Sequence, residues 1–462
     1  MMFVPSEIFK AYDIRGIVGQ SLTEEIVHAI GKALGTMALR QNHHTIAVGR
    51  DGRLSGESLL NALIDGIVST GANAIDLGLA ATPMTYFAAY ALETHCCVAV
   101  TGSHNPSNYN GLKMVIAGNT LSGEAILSLK HMIETDDLIS APRGRVTQKD
   151  IASMYFDRIA DDVKPVRPMK IIVDAGNGVA GAFAPELYRR LGASVTPLFC
   201  EVNGHFPNHH PDPSKPENLS ALIDALKSGD AELGFAFDGD GDRLGVVTPD
   251  GEIIYPDRQL MLFAQDVLSR VPHATIIYDI KSTRLLSPWI SKHGGTPLMW
   301  KTGHSLVKAK MKETGAALAG EMSGHVFFAE RWYGFDDALY SGARLLEILS
   351  KVKNPAQVLR NLPNAVSTPE LTLPCRQEGD QHAISARLKE TASFPDAEKL
   401  ITIDGLRVEF ADGFGLARPS NTTPSIVLRF EADNKEALDR IQSSMMTALN
   451  AVMGDANLDG KK

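Results

Sequence analysis

Two short segments carry the residue types that move phosphoryl groups. Thr101-Gly102-Ser103-His104-Asn105-Pro106 offers a hydroxyl nucleophile on a tight polar loop, and Asp238-Gly239-Asp240-Gly241-Asp242-Arg243 offers three carboxylates and a cation. Gly234-Phe235-Ala236-Phe237 reads as a buried strand ending at Asp238. Residues at i, i+2 and i+4 of an extended chain project to one side. The glycines at 239 and 241 let the backbone curve so that the carboxylates converge. Hard oxygen donors of this kind suit Mg²⁺, which leaves a position for a phosphoryl oxygen. Arg243 adds a guanidinium to neutralise developing charge. An EF-hand is excluded, because its sixth position would be Arg243 and its twelfth Pro249. A plain acidic turn in solvent fits poorly with the strand in front of it.

Ser103 alone is a weak signal, since most Ser-x-Asn-Pro turns are only turns. It is not a Gly-x-Ser-x-Gly elbow, because 101 is Thr and 105 is Asn. Lys113, in Gly111-Leu112-Lys113, could return to the same site to accept the hydroxyl proton or steady a phosphoserine. The aspartate loop is what gives Ser103 a chemical reading.

Competing readings have their own residues. Gly176-Asn177-Gly178-Val179-Ala180-Gly181 matches G-x-G-x-x-G after a strand, with Glu201 near the place of a ribose-binding acid. That is the case for an NAD(P)-dependent oxidoreductase, although the loop could simply need glycines for a tight turn. Asp238 and Asp240 imitate the Asp-x-Asp of haloacid-dehalogenase-type phosphatases, but a third Asp and Arg243 fit a metal loop better. Phe206-Pro207-Asn208-His209-His210-Pro211, with His205 close by, reads as a proline-framed loop in preference to a transition-metal site. Ser305 and Lys308 form Ser-x-x-Lys inside a helical stretch and are discounted.

Two more loops suit a sugar phosphate. Glu321-Met322-Ser323-Gly324-His325 places a carboxylate, a hydroxyl and an imidazole together, the partners that sugar hydroxyls need. Arg418-Pro419-Ser420-Asn421-Thr422-Thr423 is donor-rich and matches a phosphate cradle. A charged turn and an ordinary hairpin loop are the plain alternatives.

Elements of α/β type must hold these loops. Ser21-Leu22-Thr23-Glu24 reads as a capping box, followed by Ile26, Ile30, Leu34 and Met37 at helical spacing. Apolar runs at Thr45–Val48 and Ala74–Leu77 flank a helical segment over Ser58–Val68, an alternation that implies parallel β–α–β packing. Ile46-Ala47-Val48-Gly49 has counterparts in Ile171-Ile172-Val173-Asp174 and Ile276-Ile277-Tyr278-Asp279, and each unit later reaches one of the polar loops. Three related α/β units, each giving a loop to a shared site, is the economical reading. Beyond Thr368-Pro369 the pattern changes. Leu406, Val408 and Phe410 alternate with polar residues, as do Ile426, Leu428 and Phe430, and a helix over Lys435–Met453 follows. This predicts a smaller C-terminal α+β domain with an antiparallel sheet. The expected domains are 1–149, 150–254, 255–367 and 368–462, with a frayed tail from Gly454.

The chain of 462 residues, 44% hydrophobic and 21% charged, is long enough for several cores. A net charge of −9 argues against a nucleic-acid binder. No stretch reaches the length of a membrane span, and Met1–Gly16 lacks a signal-peptide core. Four cysteines do not make a disulfide framework, and Cys96 and Cys97 read as reduced core residues. A cytoplasmic monomer acting on small molecules, without nucleic-acid or membrane partners, is the expectation.

These residues together resemble the α-D-phosphohexomutase family. The matching pieces are Tyr12-Asp13-Ile14-Arg15-Gly16, the Ser103 loop, the Asp238 loop, Lys281, Gly303-His304, the Glu321 loop and the Arg418 loop, in the family's order over nearly the whole chain. Thr-Gly-Ser-His-Asn-Pro, Gly-Glu-Met-Ser-Gly-His and Ser-Asn-Thr-Thr-Pro are most similar to its bacterial phosphomannomutase/phosphoglucomutase branch. Phosphoglucosamine mutases more often show Gln where Met322 stands.

The resemblance implies three related α/β domains and a smaller C-terminal domain around a central cleft. It also implies interconversion of hexose 1-phosphate and hexose 6-phosphate through a phosphoserine and a 1,6-bisphosphosugar. Glucose is the expected sugar, with mannose beside it. Ser103 then corresponds to the phosphoserine, and Asp238, Asp240 and Asp242 to the Mg²⁺ ligands, with an oxygen on Ser103 completing the set. Arg15, His104, Lys113 and Arg243 would surround the phosphoryl group. Lys113 or a nearby His would handle protons, with His304 among the catalytic residues, and His304 and Lys281 would line the cleft. Tyr12, Glu321, Ser323 and His325 would face the sugar, and Arg418, Ser420, Asn421 and Thr422 the phosphate that is not reacting. Hexose 1,6-bisphosphate is the implied activator.

Overall fold

The computed structural model describes residues 2–456, apart from positions 378 and 422. The first unit centres on strand Thr45–Arg50, which pairs in parallel with Asn73–Leu79 on one side and Cys97–Val100 on the other. Strand Tyr109–Ile116 then returns antiparallel to Cys97–Val100. The second unit repeats this order. Its central strand Lys170–Asp174 lies parallel to Ser194–Leu198 and Leu233–Phe237, and Leu244–Val247 returns antiparallel. The third has Thr275–Asp279 at its centre, Thr296–Trp300 and Leu318–Gly320 parallel to it, and Val326–Phe328 returning antiparallel.

The threefold repetition read from the sequence is thus a repetition of topology. The Ser103, Asp238 and Glu321 loops each join the last parallel strand to the antiparallel return strand. Loops at the carboxyl ends of parallel strands are where α/β sheets bind ligands. Ile171, Val173, Phe235, Tyr278, Leu318 and Ala47 belong to one continuous apolar core that runs through all three units. A second core lies on the other face of the first sheet, under helices Glu24–Arg40 and Gly56–Val68.

Helix Glu24–Arg40 is capped differently from the expected box. Thr23 is its N-cap and accepts from the Ile26 backbone N–H at 3.3 Å, while Ser21 Oγ accepts from Ile17 N at 3.0 Å. Both residues have a β-hydroxyl, and backbone geometry decided which one met the helix.

The C-terminal sheet is antiparallel throughout, with helix Lys435–Ala456 packed against it. Ser425–Ala432 is buried along its whole length, although its sequence alternates. The second face is covered by the third unit. Arg407 donates to the carbonyls of Ile280 and Ser282 at 2.6 and 2.7 Å, and Thr283 Oγ1 donates to Glu431 at 2.8 Å. Buried charges are tolerated where each finds a partner. Among the described residues no helix is long and apolar enough to cross a membrane. All four cysteines are free, with Cys96 and Cys97 buried.

Candidate active site

The Ser103 loop and the Asp238 loop meet face to face. Ser103 Oγ donates to Asp238 Oδ2 at 3.0 Å. His104 Nδ1 lies 3.1 Å from the same Oγ. Ser103 is almost fully buried, and its φ of 49° lies in the left-handed region. That conformation costs a non-glycine residue about 1–2 kcal/mol and persists only when the surroundings impose it. The approach is so close that a Cβ on Gly239 would lie 2.2 Å from the Ser103 carbonyl oxygen. Glycine at 239 is therefore a requirement of loop contact as well as of curvature.

Two residues that the sequence reading did not single out impose the Ser103 conformation. Arg53 donates to the carbonyls of Ser103, Asn105, Pro106 and Tyr109 at 2.6 to 2.9 Å. Asp51 Oδ2 accepts from Thr101 Oγ1 at 2.7 Å and from Gly102 N at 3.3 Å. Their signal was present: a charged run, Arg50-Asp51-Gly52-Arg53, that begins on the last residue of a buried strand. Arg15 joins them through Gly102 O at 3.4 Å, the Asn105 side chain and Asp13.

The three carboxylates converge as the spacing required. One oxygen from each of Asp238, Asp240 and Asp242 lies within 4.8 Å of the others, and all three residues are fully buried. Asp238 Oδ1 accepts from the backbone N–H groups of Gly241, Asp242 and Arg243 at 3.1 to 3.2 Å, which shapes the loop. Asp240 Oδ2 accepts from Thr82 Oγ1 at 2.6 Å and from Lys113 Nζ at 2.8 Å. Lys113 also pairs with Asp242. Burial, then its two carboxylate neighbours, push the Asp238 carboxyl well above the usual range. Asp240 Oδ1 is buried with no hydrogen-bond partner among the described residues. An excess of clustered oxygen donors with an orphaned acceptor is what a hard divalent cation satisfies.

Lys113 does not reach Ser103 as a free amine. Burial works against its charge, but the flanking carboxylates raise its pKa and hold it as an ammonium. His104 and His304 go the other way. Burial, reinforced by neighbouring cations, holds each imidazole well below its ordinary value and therefore neutral. Burial also opposes charge on His325, but Asp242 and Glu321 outweigh it and push that imidazole up to about 9. His325 Nε2 lies 3.3 Å from Asp242 and Nδ1 lies 3.3 Å from Glu321. Ser323 Oγ shares a hydrogen bond with Nδ1 at 2.8 Å. The His304 and His325 rings stack with centroids 5.8 Å apart. Arg243 packs against His325 and sits 3.9 Å from Asp238.

Asp279, at the end of the third central strand, plays the part that Asp51 plays in the first unit. It accepts from Met322 N at 3.2 Å and so fixes the Glu321 loop. Glu321 accepts from Gly303 N at 2.5 Å. Lys281 pairs with Glu370 at 2.8 Å. In the C-terminal loop Arg418 pairs with Asp404 at 3.0 Å. Asn421 donates to the Tyr12 hydroxyl, which itself donates to Thr302 O at 2.8 Å. Ser420 accepts from Thr423 N at 3.2 Å. Thr422 lies outside the described residues. Tyr12, Arg15, Ser103, Asp238, His304, Glu321 and Asn421 thus come from all four units into one linked network.

The rival motifs have structural explanations. A Cβ on Gly178 would lie 3.0 Å from Gly239, and one on Gly181 would lie 2.3 Å from Cys200 O. A four-residue 3-10 turn, Val179–Ala182, follows, so the glycines serve close packing against the metal-type loop. His209 Nε2 lies 3.0 Å from Asp174 and clamps its own loop.

The fold and the site define a phosphoryl-transfer protein built on three copies of one α/β unit. Four family models match in succession. They are the phosphoglucomutase/phosphomannomutase alpha/beta/alpha domains I, II and III over residues 6–139, 153–251 and 255–366, and the C-terminal domain over 370–448. The chain belongs to the phosphoglucomutase/phosphomannomutase family. It is 57% identical over 452 residues to a phosphoglucomutase of Neisseria gonorrhoeae, with 98% of each chain covered. It is 55% identical over 456 residues to a phosphomannomutase/phosphoglucomutase of Pseudomonas putida, again with 98% of each covered. A solved family member from Burkholderia thailandensis superimposes with a TM-score of 0.93 at 54% identity, covering 98% of both chains. The family is Mg²⁺-dependent, and the aspartate triad fits that ion.

Proposed function

We propose that this enzyme interconverts the 1-phosphates and 6-phosphates of glucose and mannose through phospho-Ser103. The observation that carries the reading is the Ser103 hydroxyl, 3.0 Å from Asp238 and held against the carboxylate triad by a loop in a strained conformation. Asp238, Asp240 and Asp242, with a phosphoseryl oxygen, would hold Mg²⁺. When bound, the ion would balance the charge of the phosphoryl group.

Arg15, His104, Lys113 and Arg243 surround that group and stabilise its equatorial oxygens. The bond from phosphorus to Ser103 Oγ breaks as a bond to the free sugar hydroxyl forms, giving a 1,6-bisphosphosugar. The hydroxyl proton needs a neutral acceptor. Lys113 is held as an ammonium and His325 is charged, which leaves the neutral imidazoles of His104 and His304 as the acceptors in the site. The bisphosphate then reverses in the cleft, and Ser103 takes back the other phosphoryl group. Tyr12, Lys281, Glu321, Ser323 and His325 hold the sugar through both halves. Arg418, Ser420, Asn421 and Thr422 grip whichever phosphate is distal. Hexose 1,6-bisphosphate primes Ser103 when its phosphate is lost. The reading extends to a cytoplasmic monomer working on free sugar phosphates.

Coupled assays on glucose 1-phosphate and mannose 1-phosphate, with Mg²⁺ and a trace of hexose 1,6-bisphosphate, test this. Comparable kcat/KM on both sugars is expected. Activity on one sugar alone would limit the proposal to that sugar, and release of inorganic phosphate without isomerisation would overturn it.

A further inference from the structure

We infer that Asp404 is a positioning residue that aims the phosphate-gripping Arg418 and ties it to the segment leading into His304. The inference rests on the proposed role of Arg418 as the grip on the distal phosphate.

Asp404 lies in a turn between strands Lys399–Ile401 and Leu406–Phe410 of the C-terminal sheet. Its carboxylate accepts from Arg418 Nε at 3.0 Å and from Nη2 at 3.5 Å. This hold takes one edge of the guanidinium fork and leaves Nη1 as the nitrogen that Asp404 does not use. Both side chains are largely buried, at 6% and 12% exposure, so this is not a solvent-screened surface pair. The turn cannot drift from Arg418. Gly405 has φ 83°, and a Cβ there would lie 2.4 to 2.6 Å from Ala417 O and from Cα and Cβ of Arg418.

The oxygen that receives Arg418 Nε also accepts the Thr302 backbone N–H at 3.1 Å. Thr302 belongs to the third unit. The next backbone N–H, that of Gly303, goes to Glu321, and His304 opens the following helix. Two carboxylates from different units therefore hold consecutive N–H groups just ahead of His304. The Thr302 carbonyl receives the Tyr12 hydroxyl from the first unit. One atom, Asp404 Oδ2, thus links the phosphate grip to the segment that sets His304.

A carboxylate beside a phosphate-binding arginine has two opposed effects. It offsets part of the cation's charge, which weakens anion binding. It also fixes a side chain that would otherwise lose rotamer freedom on binding. The two-point hold on the guanidinium and the shared Thr302 contact indicate that positioning dominates. Removing the charge while retaining the shape should then weaken substrate binding.

The test is a double-mutant cycle in the full-length enzyme using Asp404→Asn, Arg418→Ala and both together. Steady-state kinetics on glucose 1-phosphate and calorimetric binding of glucose 6-phosphate give the readouts. Asp404→Asn should raise KM and Kd about tenfold, equivalent to about 1.4 kcal/mol, with kcat within about threefold of the parent. In the Arg418→Ala background the same change should add less than about twofold, because coupled partners are not additive. An unchanged or lowered KM would overturn the inference, as would full additivity or a fall in kcat at constant KM. If Asp404→Asn does not fold, Asp404→Glu serves, since it keeps the charge but moves it by one methylene. A raised KM supports positioning, and an unchanged one overturns it. Failure of the mutase reading itself would show separately, as absence of isomerisation by the unaltered enzyme.

Discussion

Arg53 Nη2 donates to the carbonyl of Ser103 at 2.9 Å, from a side chain with no solvent exposure. The same guanidinium reaches three further carbonyls of that loop, so it acts as a template on which the left-handed Ser103 is folded. Lysine has the charge but not the planar fork. Arg53→Lys should therefore leave the sheet intact and misplace Ser103 Oγ. A misplacement near 1 Å costs about 100-fold in rate, so kcat should fall by about that factor with KM little changed. Steady-state kinetics at saturating bisphosphate checks this, and a kcat near the parent's would contradict it.

Lys113 gives the carboxylate triad an ammonium in its midst. Removing one partner of a buried charge cluster costs about 3–5 kcal/mol. Lys113→Met should lower Tm accordingly. It should also make the fold lean on the divalent ion, so that Mg²⁺ raises the variant's Tm by more than it raises the parent's. Thermal melts with Mg²⁺ and with a chelator decide the point. An equal Mg²⁺ shift in both proteins would count against a shared site.

His209 supplies a pH dependence that does not involve the triad carboxylates. Burial alone would lower its pKa, but the hydrogen bond and charge of Asp174 outweigh that and raise it. Because the folded value lies above the ordinary one of about 6.5, the stabilisation is complete below that pH. It is lost as pH rises through the folded value. The Tm difference between the parent and His209→Gln should be larger near about pH 6 than near about pH 9. A difference that grows with pH would reverse the sign and refute the pairing.

Much of this site could be read from the sequence because its chemistry is concentrated in short loops after apolar strands. Ser103, Asp238, Asp240 and Asp242 stood out as candidates for that reason, as did the Glu321 and Arg418 loops, and the fold brings the first four together. The repetition was legible through Ile46, Ile171 and Ile276, each the second residue of a central strand. What escaped were residues that act from a distance along the chain. Arg53 serves a loop fifty residues away. Asp404 serves Arg418 across a turn and Thr302 across a domain boundary. The full burial of Ser425–Ala432 was hidden in the same way, since its polar face is matched by partners in another unit, such as Thr283 for Glu431. Thr23 displaced Ser21 as a cap because either residue satisfies the local pattern and only the chain's entry angle separates them.

In the proposed mechanism Ser103 itself carries the phosphoryl group that passes to and from the sugar. Mass spectrometry of the enzyme after incubation with glucose 1,6-bisphosphate, with peptide sequencing, locates that group. One added phosphoryl group is expected, located on Ser103, which disappears when excess glucose 6-phosphate is supplied and never forms in Ser103→Ala. A phosphoryl group on Asp238, or a Ser103→Ala enzyme that still isomerises hexose phosphates, would contradict it.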